Sequence, residues 1–342
     1  MSKKTKSTTW KGEPISMKKS MTLLMTVVLG LTLAACGSNN GNNANGAASP
    51  SESASASPSA SAPASESPSP SAEKLTGSIL ATGSSALQPL VEQVAQKFMA
   101  EEEYSGITVQ VQGGGSGTGL TQVSDGQADI GNSDIFAEEK FKDADAPKAA
   151  ELVDHQVAVV GMAAVAHPEV GVDNPTKQQL VDIFTGKITN WKDVGGADQE
   201  IVIINRPSSS GTRKTFETYA LGTTTEDLPG SIQQDSSGTV HKLVAETPGA
   251  ISYLALSYLD DKIQVLKYDG VEPTVENITT GKFPVWAYEH MYTKGEPNPV
   301  VKAFLDYMMS EEVQNTDVTE LNFIPVTSMQ IVRDIDGNIT QK

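Results

Sequence analysis

The chain has 342 residues, and 42 Asp and Glu against 25 Lys and Arg leave a formal net charge of −17 at pH 7. So acidic a balance argues against nucleic acid as a partner and against electrostatic adhesion to anionic lipid, and any small anion must be held by local hydrogen bonds rather than by the field of the whole protein. A single cysteine, Cys36, excludes an intrachain disulfide and the cysteine-rich zinc patterns, and His155, His167, His241 and His290 form no HExxH pair.

Residues 1–35 carry Lys3, Lys4, Lys6, Lys11, Lys18 and Lys19 against Glu13 alone, which leaves about −22 on the remainder by counting charges. Lys18 and Lys19 precede an uncharged, mostly apolar run from Met21 to Ala35, the length of a signal-peptide core and short for a membrane span. It ends in Leu33-Ala34-Ala35-Cys36-Gly37, and small residues directly before the only cysteine resemble a bacterial lipobox, whose thiol is acylated after the preceding peptide is removed. Residues 1–35 are therefore expected to be a signal peptide, with Met17 as a second possible start, and Cys36 to be lipidated; the competing reading makes 21–35 a buried helix and Cys36 a core thiol. Residues 36–74, almost entirely Ser, Ala, Pro, Asn and Gly with a few Glu, bury too little apolar surface to fold and are expected to form a flexible linker.

The rest, about 270 residues, is enough for one large domain or two medium lobes. Short β-like runs alternate with helix-period segments, the pattern of an α/β fold. A strand over Ser78–Thr82 and a turn at Gly83-Ser84-Ser85 lead into a helix with Leu87, Leu90, Val91, Val94 and Phe98 on one face. A strand over Ile107–Gln112 is followed by the glycine loop 113–119, a short helix around Leu120–Asp125 and the segment Ala128–Asp134. A third unit has a strand over Ile201–Asn205, the loop Arg206–Gly211 and a helix over Thr212–Leu221. Each unit places Ser or Thr where a helix begins, and helix starts offer unpaired N–H groups and partial positive charge, so that three such ends together would suit an anion.

The glycine loop matches neither GxxxxGK[ST] nor GxGxxG, since Leu120 stands where the third glycine is needed, and no GxSxG nucleophile elbow is present. In Asn205-Arg206-Pro207-Ser208-Ser209-Ser210-Gly211-Thr212-Arg213 a strand delivers an arginine and a hydroxyl-rich turn into a helix. A guanidinium forks onto a tetrahedral oxyanion, Ser210 and Thr212 add donors, and Gly211 permits close approach; the plainer reading is a capping turn beside a surface arginine. Asp134 suits an anion site only if the anion carries a proton, as hydrogen phosphate does and sulfate does not; otherwise it is a cap or a turn acid.

The segments Thr82–Leu90, Gly113–Gly119, Gly131–Asp134, Ile183–Trp191, Arg206–Thr212 and Thr247–Tyr253 occur in an order that resembles the phosphate-binding component, PstS type, of bacterial phosphate ABC importers, over roughly residues 77–330. The resemblance implies a two-lobe, periplasmic-binding-protein-like α/β fold of type II, with a hinge and a central cleft: lobe I at 75–160 and 265–342, lobe II at 161–264. It implies phosphate contacts from Ser84, Ser85, Ala86, Ser116, Asp134, Arg206, Ser210, Gly211 and Thr212, with Ser84 and Ser85 interchangeable as main donor. It further implies no catalysis, metal or cofactor, and a monomer that passes phosphate to permease and ATPase subunits, lipid-anchored on the outer face of a cytoplasmic membrane of Gram-positive type. A phosphate sensor or adhesin on the same fold, and a phosphomonoesterase, are the rival functions.

Overall fold

The computed structural model describes residues 74–225, 228 and 231–342. The expected signal peptide over 1–35, the lipidated Cys36 and the linker as far as residue 73 lie outside the described residues.

β1 (Gly77–Gly83) is followed by α1 (Gln88–Ala100), whose Leu90, Val91, Val94, Ala95 and Phe98 are buried, with Leu87 buried at the cap. β2 (Ile107–Gly113) runs parallel to β1. α2 (Ser116–Ser124) starts four residues before the expected Leu120, because Gly115, at φ 81°, reverses the chain, and its carbonyl accepts from Thr118 N–H at 3.0 Å and Gly119 N–H at 3.1 Å. β3 (Ile130–Ser133) is shorter than the expected 128–134: Asp129 is tied to Leu80 N–H through its carboxylate, and Asp134 turns toward Ser116.

β4 (Leu152–Ala166) spans 15 residues, and its run from Val157 to Ala166 is buried throughout, as a strand covered on both faces must be. Beyond it, α3 (Lys177–Phe184) begins with a reciprocal cap between Thr176 and Gln179 and buries Leu180, Ile183 and Phe184. β5 (Val202–Asn205) leads to α4 (Gly211–Phe216), which continues as a π-helical turn over Glu217–Leu221 where a single helix to Leu221 was expected. β6 (Ile232–Gln233), α5 (Ser237–Glu246), β7 (Ala250–Ala255) and β8 (Gln264–Val265) follow. β9 (Trp286–Lys294), α6 (Pro299–Met308) and the antiparallel pair β10 (Ile331–Arg333) and β11 (Ile339–Gln341) close the chain.

The strands join in the order β2-β1-β3-β9-β4-β7-β5-β6, with β8 also on β4. β4 changes partner along its length: Leu152–Gly161 pair with β9, and Met162–Ala166 pair with β7. Helices cover each end of this sheet. On one side Phe98 stacks on Tyr104 (centroids 4.2 Å) and meets Phe304 edge-on; on the other Phe216 stacks on Tyr253 (4.5 Å) against Phe184.

Trp191 is fully buried in the hydrophobic core that also holds these rings, and its indole Nε1 donates to the Gly249 carbonyl at 2.9 Å. Trp191→Ala removes both the ring and that bond, and is expected to cost about 3–5 kcal/mol in urea unfolding, as large-to-small core changes do.

Candidate anion-binding site

The parallel strands β2-β1-β3 and β5-β6 point their carboxyl ends toward one another, and the polar residues beyond those ends are the buried ones. This is the position where α/β sheets hold ligands, since chain leaving a strand end has free main-chain groups to offer.

Gly83 ends β1 at φ +131°, and a Cβ there would collide with the Asn132 carbonyl; the glycine allows Ser84 N–H to reach that same carbonyl at 2.9 Å. Ser84 Oγ accepts from the N–H groups of Ala86 and Leu87, both at 3.1 Å, and donates to Asp134 Oδ1. Asp134 is held from further directions: its N–H donates to Ser116 Oγ at 2.9 Å, and Thr212 Oγ1 donates to Oδ2 at 2.8 Å. Gly211 lies so close to Ser116 that a Cβ would strike its hydroxyl. Ser210 Oγ caps α4 by accepting from Arg213 N–H at 3.2 Å.

Arg206 follows β5 and is 1% exposed. Its Nη2 donates to Ser85 Oγ at 3.0 Å and to the Asp235 carbonyl, its Nη1 donates to Ser237 Oγ at 3.3 Å, and its Nε has no partner. No carboxylate pairs with it among the described residues. Burial pushes its pKa down from the ordinary guanidinium value, opposed by the fields of Tyr253, Asp134, Asp235 and Tyr258. Asp235 Oδ1 is likewise buried and unpartnered. The arginine backbone is fixed from behind: Asn205 Oδ1 accepts from Arg206 N–H at 2.8 Å and from Tyr253 OH at 2.6 Å, and Arg213 Nη1 donates to the Arg206 carbonyl at 2.7 Å.

Besides the Arg206–Ser85 and Thr212–Asp134 bonds, further bonds cross between the two groups of strand ends. Gly117 N–H donates to the Ser209 carbonyl at 2.9 Å, Tyr258 OH to the Ser85 carbonyl at 2.6 Å, and Ser237 N–H to Ser85 Oγ at 3.3 Å. Ser84, Ser85, Ala86, Ser116, Asp134, Arg206, Ser210, Gly211 and Thr212 thus gather at one buried place. Of the two serines left interchangeable by the sequence, Ser84 faces Asp134 and Ser85 faces Arg206. Asp235, Ser237, Tyr258 and Glu289 share this neighbourhood and were not singled out. Ser236-Ser237-Gly238-Thr239 repeats Ser209-Ser210-Gly211-Thr212, a signal that would have found Ser237.

The four histidines are engaged elsewhere: His290 with Asp154, His241 with Asp260, His155 with Thr293, and His167 with Glu169 N–H. Among the described residues no group of three or more His, Cys, Asp or Glu could hold a metal ion.

A model of the PBP superfamily domain matches residues 57–312. Over 266 residues, 78% of this chain and 86% of the relative, the sequence is 56% identical to the phosphate-binding protein PstS of Bacillus subtilis. The chain belongs to the PstS family of phosphate-binding proteins. A further PstS, from Borreliella burgdorferi, is 27% identical over 71% of this chain and 88% of its own length. Among solved structures, a putative phosphate ABC transporter substrate-binding protein with bound phosphate from Clostridium perfringens superposes with a TM-score of 0.66 at 32% identity, covering 73% of this chain and all of that one. An ABC-type phosphate transport receptor from Vibrio cholerae gives 0.57 at 25% identity, over 72% of this chain and 99% of its own. The α/β periplasmic-binding-protein fold is thus common to this PstS family member and its neighbours.

Asn205 has no exposure, and Asn205→Ala would strand the Tyr253 hydroxyl in a dry core. A loss of about 2–4 kcal/mol is expected in chemical denaturation, since an orphaned buried donor forfeits its desolvation energy in addition to the bond.

Proposed function

We propose that this PstS family member is the phosphate-binding component of a phosphate ABC importer, working outside the cytoplasm and delivering phosphate to permease and ATPase subunits by hinge closure, with no bond made or broken. The observation that carries the reading is Arg206: a guanidinium 1% exposed, with hydroxyl, carbonyl and unfilled Nε contacts and no carboxylate partner among the described residues. A buried charge left uncompensated costs several kcal/mol, and an oxyanion among the hydroxyls of Ser84, Ser85, Ser116, Ser210 and Thr212 would supply the missing counter-charge. The names of the relatives, phosphate-binding proteins and a phosphate transport receptor, point to the same anion.

Asp134 makes the choice among oxyanions. A carboxylate acceptor among the donors suits an anion that brings its own proton, whereas sulfate would meet a bare negative charge, a mismatch of the kind that discriminates by roughly 10⁴–10⁵. Arsenate shares phosphate's charge and proton and would share the site.

Closure would occur about β4. The strand's change of partner from β9 to β7 at Gly161/Met162 supports a division into lobe I, 75–160 with 265–342, and lobe II, 161–264. The bonds from Gly117 to Ser209 and from Tyr258 to Ser85 then belong to the closed form, which the ligand stabilises by bridging both lobes. A handful of charge-assisted bonds at roughly 1.5–3 kcal/mol each supports micromolar or tighter binding after closure costs. The Lys-flanked apolar run ending at Cys36 supports export and a lipid anchor on the outer face of the membrane, with the Ser/Ala/Pro stretch as tether.

Two substitutions test the site by calorimetric titration. Arg206→Ala is expected to weaken phosphate binding by about 100-fold or more, the loss of a buried charge-assisted fork; parent-like affinity would remove Arg206 from the site. Asp134→Asn is expected to narrow the preference for phosphate over sulfate by at least about tenfold, because an amide also donates. Unchanged selectivity in competition binding would take the proton-reading role away from Asp134.

A further inference from the structure

Glu289 lies in the middle of β9 with no exposure, and neither of its carboxyl oxygens accepts a hydrogen bond from any N–H or hydroxyl. The antiparallel register places Asn132 opposite Met291 and Ser133 opposite His290. Continued one step past the end of β3, this register sets Asp134 against Glu289, both buried, so that the Asp134 carboxylate is the charge that bears on Glu289. On its other side β9 pairs Glu289 with Ala158 of β4, between the apolar Val157 and Val159. The adjacent His290 is bonded to Asp154; Arg206 and Tyr258 bear on Asp134 from the opposite strand ends, and Glu139, Tyr219, Tyr288 and Arg333 line a small cavity on another side of Asp134.

Two carboxylates set against each other, away from water, cannot both stay ionised; one keeps a proton and offers it to the other. The hydroxyl donors decide which. Ser84 and Thr212 both donate to Asp134, whereas Glu289 receives nothing.

We propose that Glu289 is a positioning residue for the anion site: a neutral carboxylic acid that donates its proton to Asp134 from behind, fixing that carboxylate as the single negative acceptor presented to the ligand. Burial, and then the Asp134 charge, push the Glu289 carboxyl well above its ordinary range, in line with this assignment. The arrangement solves a specific difficulty. Asp134 must remain an acceptor to read a protonated oxyanion, yet a second negative charge behind it would repel the anion it is meant to hold. With its proton in place, Glu289 adds a donor and no charge. The inference rests on the phosphate-binding reading for its consequence, though not for the protonation state itself.

Infrared difference spectroscopy and phosphate calorimetry on the wild type, Glu289→Gln and Glu289→Leu test it. The wild type at neutral pH should show a protonated-carboxyl C=O stretch that disappears in Glu289→Gln. Glu289→Leu, which has no donor, should bind phosphate about tenfold or more weakly, the worth of a hydrogen bond to a charged group, and Glu289→Gln, a neutral donor of the same shape, should restore most of that loss. Absence of the band in the wild type, its persistence in Glu289→Gln, or a Glu289→Gln affinity no better than that of Glu289→Leu would overturn the proposal. Failure of the wild type to bind phosphate would instead overturn the functional reading, while the infrared band would still report on Glu289.

Discussion

A guanidinium removed from water without a carboxylate beside it is among the more expensive things a fold can contain, and much of this structure is arranged around one. Arg206 is held by its backbone through Asn205 and Arg213, by its fork through Ser85, Ser237 and the Asp235 carbonyl, and by burial on all sides. Only neutral oxygens meet it directly. The strand ends that supply those oxygens come from both parts of the sheet. Under the proposed closure, binding and closing would be one event seen from two sides.

The same geometry explains how an acidic protein could hold an anion. The overall field is repulsive, so in the proposed site the anion would be held by short-range donors rather than by the net charge. In the proposed closure the long central strand β4 would carry the mechanical requirement. Being buried along its second half and paired with β9 then β7, it connects the strand ends on either side through one continuous backbone. In the proposed closure, small rotations about such a strand would move whole strand ends while keeping the aromatic contacts around Phe98 and around Phe216.

Much of this was readable beforehand where chemistry and local pattern coincide. The apolar stripe of α1 was plain from its spacing, and Arg206 with its Ser-Ser-Gly-Thr turn was plain from residue type. Asp134 stood out because an acid is unexpected beside anion donors. Boundaries were harder, since α2 begins where a positive-φ glycine permits it and the helix after Gly211 changes to a π turn, features decided by tertiary fit rather than propensity. Ser237 and Asp235 were missed because β6, which delivers them, is only 2 residues long and leaves no periodic trace. Glu289 was missed for a different reason: in Trp286–Lys294 it looks like an ordinary solvent-facing acid, and only the place of β9 between β3 and β4 reveals its burial.

In the proposed function the two parts close on a protonated oxyanion and on no other. Because Cys36 is the only cysteine, a chain carrying Cys36→Ser, Glu103→Cys and Lys242→Cys accepts spin labels at one exposed position on each side of the site. Pulsed electron paramagnetic resonance then reads the distance between them without ligand, with phosphate and with sulfate. The account predicts a shift to a shorter, narrower distribution with phosphate and none with sulfate. The same distribution in all three conditions, or equal shortening by sulfate, would contradict it.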